Sequence, residues 1–288
     1  MLKSKLLHDN FEIGHQEKFW KTTDGLRLFT QSWLPSDKPK ALINLIHSLG
    51  EHSGRYSEWA SQLASEGFIV RSYDQRGHGK SEGRRGYSRD YSLLLKDINA
   101  FDVEGRKEFS SLPGFLYGHG LGGNLVLNYL LQYPQTMNGV IVSSPWLEMT
   151  TKSSAFLLML VSFIGKILPV ITFNTGLKSE YISRDLRAVH AYKTDPMVHN
   201  RIGTRLFSQA CEAGQRAAIS IYKMNVPLLV MHGTNDKIAS FKTAQNFVRN
   251  AGSKTTFLEW EGGYHELHND LDYHDVFRSL IKWLHRNI

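Results

Sequence analysis

Residues 114–123 read GFLYGHGLGG. Phe115, Leu116 and Tyr117 make a short apolar run of strand type, a glycine-rich turn follows, and NLVLNYLLQY (124–133) continues with helical periodicity. Strand, tight turn and helix in that order form the G-x-S-x-G layout, in which a strained turn lifts a serine hydroxyl above a sheet. Here the frame is Gly118-His119-Gly120-Leu121-Gly122, with glycine at the serine position. Phosphate-binding loops also follow strands. GHGLGG, however, is not followed by Lys-Ser/Thr, and no acidic residue stands about twenty positions on, as a dinucleotide loop requires. Taken alone, the turn leaves both an elbow and a chance run of glycines open.

The flanking sequence places this turn in a repeated pattern. Apolar runs at 41–47 (ALINLIH), 68–74 (FIVRSYD), 114–119, 138–144 (NGVIVSS), 226–233 (VPLLVMHG) and 255–262 (TTFLEWEG) read as buried strands. Helical patterns at 56–67, 91–109, 124–133, 240–252 and 272–287 alternate with them. EKFWKTTDG and LRLFTQSWLP alternate around an Asp-Gly turn and predict an opening hairpin. The expected fold is α/β: a mostly parallel sheet with helices on both faces. Between Ser144 and Val226 the alternation stops. About eighty residues make too long a loop for a compact domain. An inserted helical cap over 147–207 is expected, on a core made of 1–146 and 208–288.

Composition narrows the function. Of 288 residues, 41% are hydrophobic, enough for a sizeable core, and the formal charge is +7. Lys and Arg are scattered with no basic tail, which speaks against a nucleic-acid partner. Cys211 is the single cysteine, so no internal disulfide forms. The stretch MLKSKLLHDN lacks the apolar core of a signal peptide, which suits a cytoplasmic protein. AFLLMLVSFIGKILPVITF (155–173) approaches the length of a membrane span, yet Gly165, Lys166 and Pro169 interrupt it. It reads as an amphipathic cap segment, suited to peripheral membrane contact.

Ligands of open α/β sheets bind beyond the carboxyl ends of the strands. Asp236 lies in such a place, after VPLLVMHG, although an Asp there is ordinarily a turn former or helix cap. His265 and His268 follow the last strand, and each competes as a base. The chain order of elbow, Asp and His is that of hydrolases with a G-x-S-x-G turn. In that chemistry the imidazole takes the hydroxyl proton, and the carboxylate orients the ring and stabilises the imidazolium. An oxyanion hole needs backbone N–H groups after the nucleophile and after an early strand, which nominates Leu121 and Leu49.

With these residues placed, the chain resembles the monoacylglycerol lipase and lysophospholipase group of α/β-hydrolases, the serine aminopeptidase-like hydrolases, from about Glu17 to the last helix. The resemblance rests on HSLGEHSGRY, similar to H-G-x-G-E-H-S-x-R-Y, and on YDQRGHGKSEG (73–83) and GHGLGG against G-H-S-x-G-G. SRD…AYKTDP (183–196), the GTND loop and YHELH complete it. It implies hydrolysis of carboxylesters of single-chain glycerolipids, with no metal or cofactor and a small lipid ester or fatty acid as the partner. It puts the nucleophile position at Gly120, the acid at Asp236 and the base at His265. His47, Ser48, Phe156, Met159, Leu160 and Phe163 are the expected substrate contacts, and Lys152, Lys166 and Lys178 could meet anionic headgroups.

The sequence departs from that pattern twice. Ser48 stands where the group has glycine, and Gly120 where it has serine. Glycine cannot carry an acyl group, and no neighbouring residue, Ser48 included, is expected to replace it. The expectation is a nearly inert chain, an inactivated Ser-to-Gly variant of a serine hydrolase. Alternatives are a natural lipid-binding protein without catalysis, and a hydrolase of another small ester or a peptide.

Overall fold

The computed structural model describes residues 13–134, 136–151, 159, 161, 163–165, 167–168 and 170–288. Strands β1 (Gly14–Lys21) and β2 (Arg27–Leu34) form the expected antiparallel hairpin. Its turn uses Gly25 at φ +94°, a left-handed conformation that glycine adopts without strain. The strands that follow are β3 (Ala41–Ile46), β4 (Phe68–Tyr73), β5 (Gly114–His119) and β6 (Gly139–Ser143). The later ones are β7 (Thr172–Asn174), β8 (Arg201–Gly203), β9 (Leu228–Gly233) and β10 (Thr255–Trp260). Eight strands make one sheet in the order β1-β2-β4-β3-β5-β6-β9-β10. β1 and β2, and β2 and β4, pair antiparallel, and every pair from β4 to β10 is parallel.

Strands β3, β4, β5, β6 and β9 are buried at every position, which is why their sequences run apolar without alternation. Their side chains still divide between two faces. Leu116, Leu228 and Val230 pack with α2 (Tyr91–Glu108), α3 (Leu121–Gln132) and α5 (Thr204–Ser220). Phe115, Tyr117, Leu229 and Met231 pack with α1 (Ser57–Ser65) and α7 (Tyr273–Arg286). α4 (Leu186–Thr194) lies between β7 and β8, and α6 (Phe241–Arg249) buries Phe247 against the first face. Caps fix the helix starts: Asp90 accepts from the Ser92 N–H, and Ser240 from the Thr243 N–H.

Two features of the insertion differ from the sequence expectation. β7 and β8 pair as a short antiparallel ribbon where only helices were expected. Helix α5 starts at Thr204, inside the span assigned to the cap, and its residues Leu206, Phe207, Ala210, Ala213 and Ala217 join the sheet-facing core. Its buried stripe carries small residues, Ala210, Ala213, Gly214 and Ala217. That stripe lets α5 approach α3 closely enough for Asn124 and Asn128 to donate to the carbonyls of Ala210 and Ala213, each at 3.0 Å. Among the described residues, no helix is long and apolar enough to cross a membrane.

Helix α3 begins against the end of β3. A Cβ on Gly122 would sit 2.1 Å from the Ile46 carbonyl oxygen, and one on Gly118 would sit 2.5 Å from the Gly122 oxygen. Both contacts are with backbone, so a side chain forces the helix off the sheet. Gly122→Ala is expected to cost about 1–3 kcal/mol of stability, read as a lower urea midpoint at unchanged m value.

Candidate active site

Gly120 joins β5 to α3 with φ +53° and ψ −114°. A side chain there is strained, and the turn persists because its backbone is tied on both sides. The Gly120 N–H donates to Ser143 O at 3.1 Å, and its carbonyl accepts from Asn124 N–H at 3.1 Å and Trp146 N–H at 2.9 Å. This is the geometry that G-x-S-x-G requires, and it aims the position at His265. A Cβ on residue 120 would lie 3.3 Å from His265 Nε2.

His265 and Asp236 come from loops that close over the ends of β10 and β9. The loops are joined by Thr234 N–H to Trp260 O at 2.9 Å and Asn235 N–H to Gly263 O at 3.0 Å. His265 Nδ1 donates to Asp236 Oδ2 at 2.8 Å, and Oδ1 of that carboxylate accepts from the Ile238 and Ala239 N–H groups at 2.8 and 3.0 Å. His232 Nε2 lies 3.1 Å from Oδ2. Burial by itself would raise the Asp236 carboxyl, but the two histidines and these hydrogen bonds hold it well below the usual carboxylate range. Burial likewise pushes His265 down, and the Asp236 charge outweighs it, leaving the imidazole above its ordinary value of 6.5. His268 is excluded as the partner of Asp236. It stacks on Tyr56 at 4.6 Å, and burial pushes its pKa down to about 3.

The loop after β3 corrects two expectations. His47 is fully buried: Nδ1 donates to Ser48 O at 2.6 Å, and Nε2 accepts from the Gln75 N–H at 2.9 Å. Both ring nitrogens serve the loop, so His47 shapes it and does not face substrate. Ser48 is expected as a substrate contact in the loop after β3, not as a replacement for the nucleophile. Its Oγ instead lies 2.1 Å from where a Cβ of residue 120 would be, and it accepts from the Leu121 N–H at 3.1 Å. Leu49 follows it, partly buried against the core. Of the other expected substrate contacts, Phe156 and Leu160 lie outside the described residues. Met159 and Phe163 are 62% and 61% exposed, where side chains lining a closed acyl channel would be covered.

Several residues without an assigned role in the sequence reading hold this site together. Glu51, 2% exposed, accepts from the Ser48 N–H at 2.6 Å, Tyr56 Oη at 2.7 Å and Arg55 Nε at 3.2 Å. Arg55 also donates to Glu266 at 2.5 Å, so a buried ionic bridge links the Ser48 loop to the residue beside His265. Ser144, at φ +45°, donates its hydroxyl to the His265 carbonyl at 2.7 Å. Asp74 accepts from the Ser53 N–H and hydroxyl at 2.8 and 2.6 Å, which gives the 73–83 segment a supporting part. The Glu and Arg of HSLGEHSGRY were a visible signal, since they stand four residues apart and can pair. The strained Ser144 left none.

An eight-stranded, mostly parallel sheet with an elbow after its fifth strand and an Asp–His pair on its last two loops defines an α/β-hydrolase. Residues 37–272 match the hydrolase family described as serine aminopeptidase, S33, and the chain belongs to that family. It is 30% identical over 266 residues to the monoacylglycerol lipase of Mycolicibacterium smegmatis, covering 90% of this chain and 93% of that protein. It is 31% identical over 267 residues to human monoglyceride lipase, covering 91% of this chain and 88% of the other. It is also 34% identical to an uncharacterised abhydrolase domain-containing protein of Dictyostelium discoideum, of which it spans 28% of the length. The crystal structure of Paleococcus ferrophilus monoacylglycerol lipase superposes with a TM-score of 0.80 at 30% identity, over 96% of this chain and 100% of that one.

Arg55→Met strands two buried carboxylates. It is expected to lower stability by about 3–5 kcal/mol, measured by guanidinium denaturation. In Asp236→Asn the His265 ring is expected to titrate at a lower pH than in the native chain, because burial then works against a weaker counter-charge. Histidine-ring NMR across the pH range reads this directly.

Proposed function

We propose that the site hydrolyses carboxylesters of single-chain lipids, monoacylglycerols first, through an acyl-serine intermediate. The observation that carries this reading is the Asp236–His265 pair, bonded at 2.8 Å, with Nε2 turned toward position 120. His265 serves as the base that takes a hydroxyl proton and returns it to the leaving alcohol, and Asp236 stabilises the imidazolium. The Leu121 and Leu49 N–H groups stand as the oxyanion donors. The monoacylglycerol and monoglyceride lipases among the relatives support the substrate class.

The cap supports a lipid substrate in a second way. Phe163, Ile167, Leu168 and Val170 are all at least half exposed. Exposed apolar side chains this close together fit a lipid surface or an acyl chain. A second reading, lipid binding without turnover, is favoured by Gly120, which has no atom to acylate. Peptide hydrolysis would need acidic side chains to greet a free amine. Of the two acidic residues early in the cap, Glu148 is engaged by Thr243 Oγ1 at 2.6 Å, which weakens that reading.

Hydrolysis of p-nitrophenyl esters and monoacylglycerols of graded chain length separates these readings. Turnover with a chain-length optimum, in place of the nearly inert chain that Gly120 alone predicts, would mean that another hydroxyl serves the site, and binding with no release of fatty acid would establish the second reading. His265→Ala is expected to lower kcat by roughly 10⁴–10⁶-fold. Because only the neutral imidazole accepts a proton and its pKa is raised, kcat/KM should climb with pH to a midpoint above 6.5. A midpoint below that value would remove His265 as the base.

A further inference from the structure

We infer that Ser48 is the acyl acceptor of this site, a nucleophile delivered from the loop after β3 in place of one on the elbow. The inference rests on the ester-hydrolase reading and deepens it. Its basis is the volume above Gly120. Ser48 Oγ lies 2.1 Å, and Ser48 Cβ 2.9 Å, from the point a Cβ of residue 120 would occupy. His265 Nε2 is 3.3 Å from the same point, so hydroxyl and imidazole border one small volume, with no direct hydrogen bond between them in the resting site. A serine on the elbow would place its own oxygen one bond from that point. Ser48 therefore brings an oxygen into the volume that a side chain on the elbow would fill.

The surroundings hold that oxygen ready. The Ser48 N–H is bound by the buried Glu51 carboxylate at 2.6 Å, and the Ser48 carbonyl by His47 Nδ1 at 2.6 Å. The residue is thus clamped on both sides of its backbone, which limits where its short side chain can go. Oγ accepts from the Leu121 N–H at 3.1 Å, an interaction that leaves its proton free to be given up. Ser48 is also half-buried and not sealed in, so an ester can reach it. The two positions where the sequence departs from the pattern it resembles, 48 and 120, are in contact. Together they speak for one hydroxyl moved across the site, and against one simply removed.

The chemistry balances without further reagents. Ser48 Oγ bonds to the ester carbonyl carbon as its proton passes to His265 Nε2. The carbon–alkoxide bond breaks, and His265 returns the proton to the departing alcohol. A water then attacks the acyl-serine, gives a proton to His265, and the fatty acid leaves as Ser48 recovers that proton. The Leu121 N–H, which holds Oγ beforehand, is placed next to the carbon on which the oxyanion develops.

The test is active-site labelling of the full native chain with a fluorophosphonate, followed by peptide mapping. Attack forms the oxygen–phosphorus bond, and fluoride leaves. The expected result is one adduct per chain, on Ser48, lost in Ser48→Ala and slowed in His265→Ala. In parallel, Ser48→Ala is expected to lower kcat/KM for p-nitrophenyl butyrate by about 10³-fold or more. Ser48→Cys should recover part of the rate and be alkylated by iodoacetamide. If Ser48→Ala fails to fold, the adduct's position on the native chain still decides. An adduct on another serine in a chain that hydrolyses esters, or native rates in a folded Ser48→Ala chain, would overturn the inference and leave the ester-hydrolase reading standing. The paired variant Ser48→Gly with Gly120→Ser separates the remaining cases. If it hydrolyses esters while the native chain neither labels nor turns over, the inference falls alone. If neither chain turns over, both fall.

Discussion

The contact between the first turn of α3 and the end of β3 constrains everything else in the site. Glycine at 118 and 122 brings helix backbone to within a carbon–oxygen contact of the Ile46 carbonyl, where a single methyl group would be 2.1 Å away. That closeness puts the loop after β3 directly over the elbow. Residues 48 and 120 therefore compete for one small volume, and a side chain at either position is felt at the other. The N-terminal N–H of α3, from Leu121, points into the same volume and binds the Ser48 hydroxyl at 3.1 Å.

Electrostatics fixes the same geometry from behind. Glu51, Arg55 and Glu266 are buried as a chain of two carboxylates around one guanidinium. Buried charges of this kind add little net stability, because desolvation consumes most of their attraction, but losing one member is costly. Their product is position: Ser48 on one side and the His265 loop on the other are held by the same cation. Asp236 follows a similar rule on a smaller scale. Two backbone N–H groups satisfy one carboxylate oxygen, leaving the other for His265 and His232. His265 is thereby oriented by a group that cannot itself easily take up a proton.

Much of this was legible in the sequence, for physical reasons. Fully buried parallel strands must be continuously apolar, so β3, β4, β5, β6 and β9 could be placed within a few residues, and the half-buried β10 was still marked by its short run between turn residues. The chain order of elbow, Asp and His follows from topology, and Asp236 and His265 are brought to hydrogen-bonding distance. Side-chain direction within a loop has no such periodic signal. Ser48 read only as a substrate contact because nothing in HSLGEHSGRY says which way its hydroxyl turns, and His47 read as a substrate contact although both its nitrogens face inward. Helix α5 was missed because its start at Thr204 fell inside the span expected to be cap. The β7–β8 ribbon is three residues per strand, too short to alternate visibly.

Positions 48 and 120 sharing one volume is a claim about coupling, and coupling can be measured as stability. A double-mutant cycle built from Ser48→Gly, Gly120→Ser and the two together, followed by urea denaturation, isolates the interaction between the two sites. Gly120→Ser should cost clearly more stability in the native background than in the Ser48→Gly background, where its side chain has room. Equal costs in the two backgrounds would mean that the Ser48 hydroxyl does not occupy the space above Gly120, and the site as described here would be wrong.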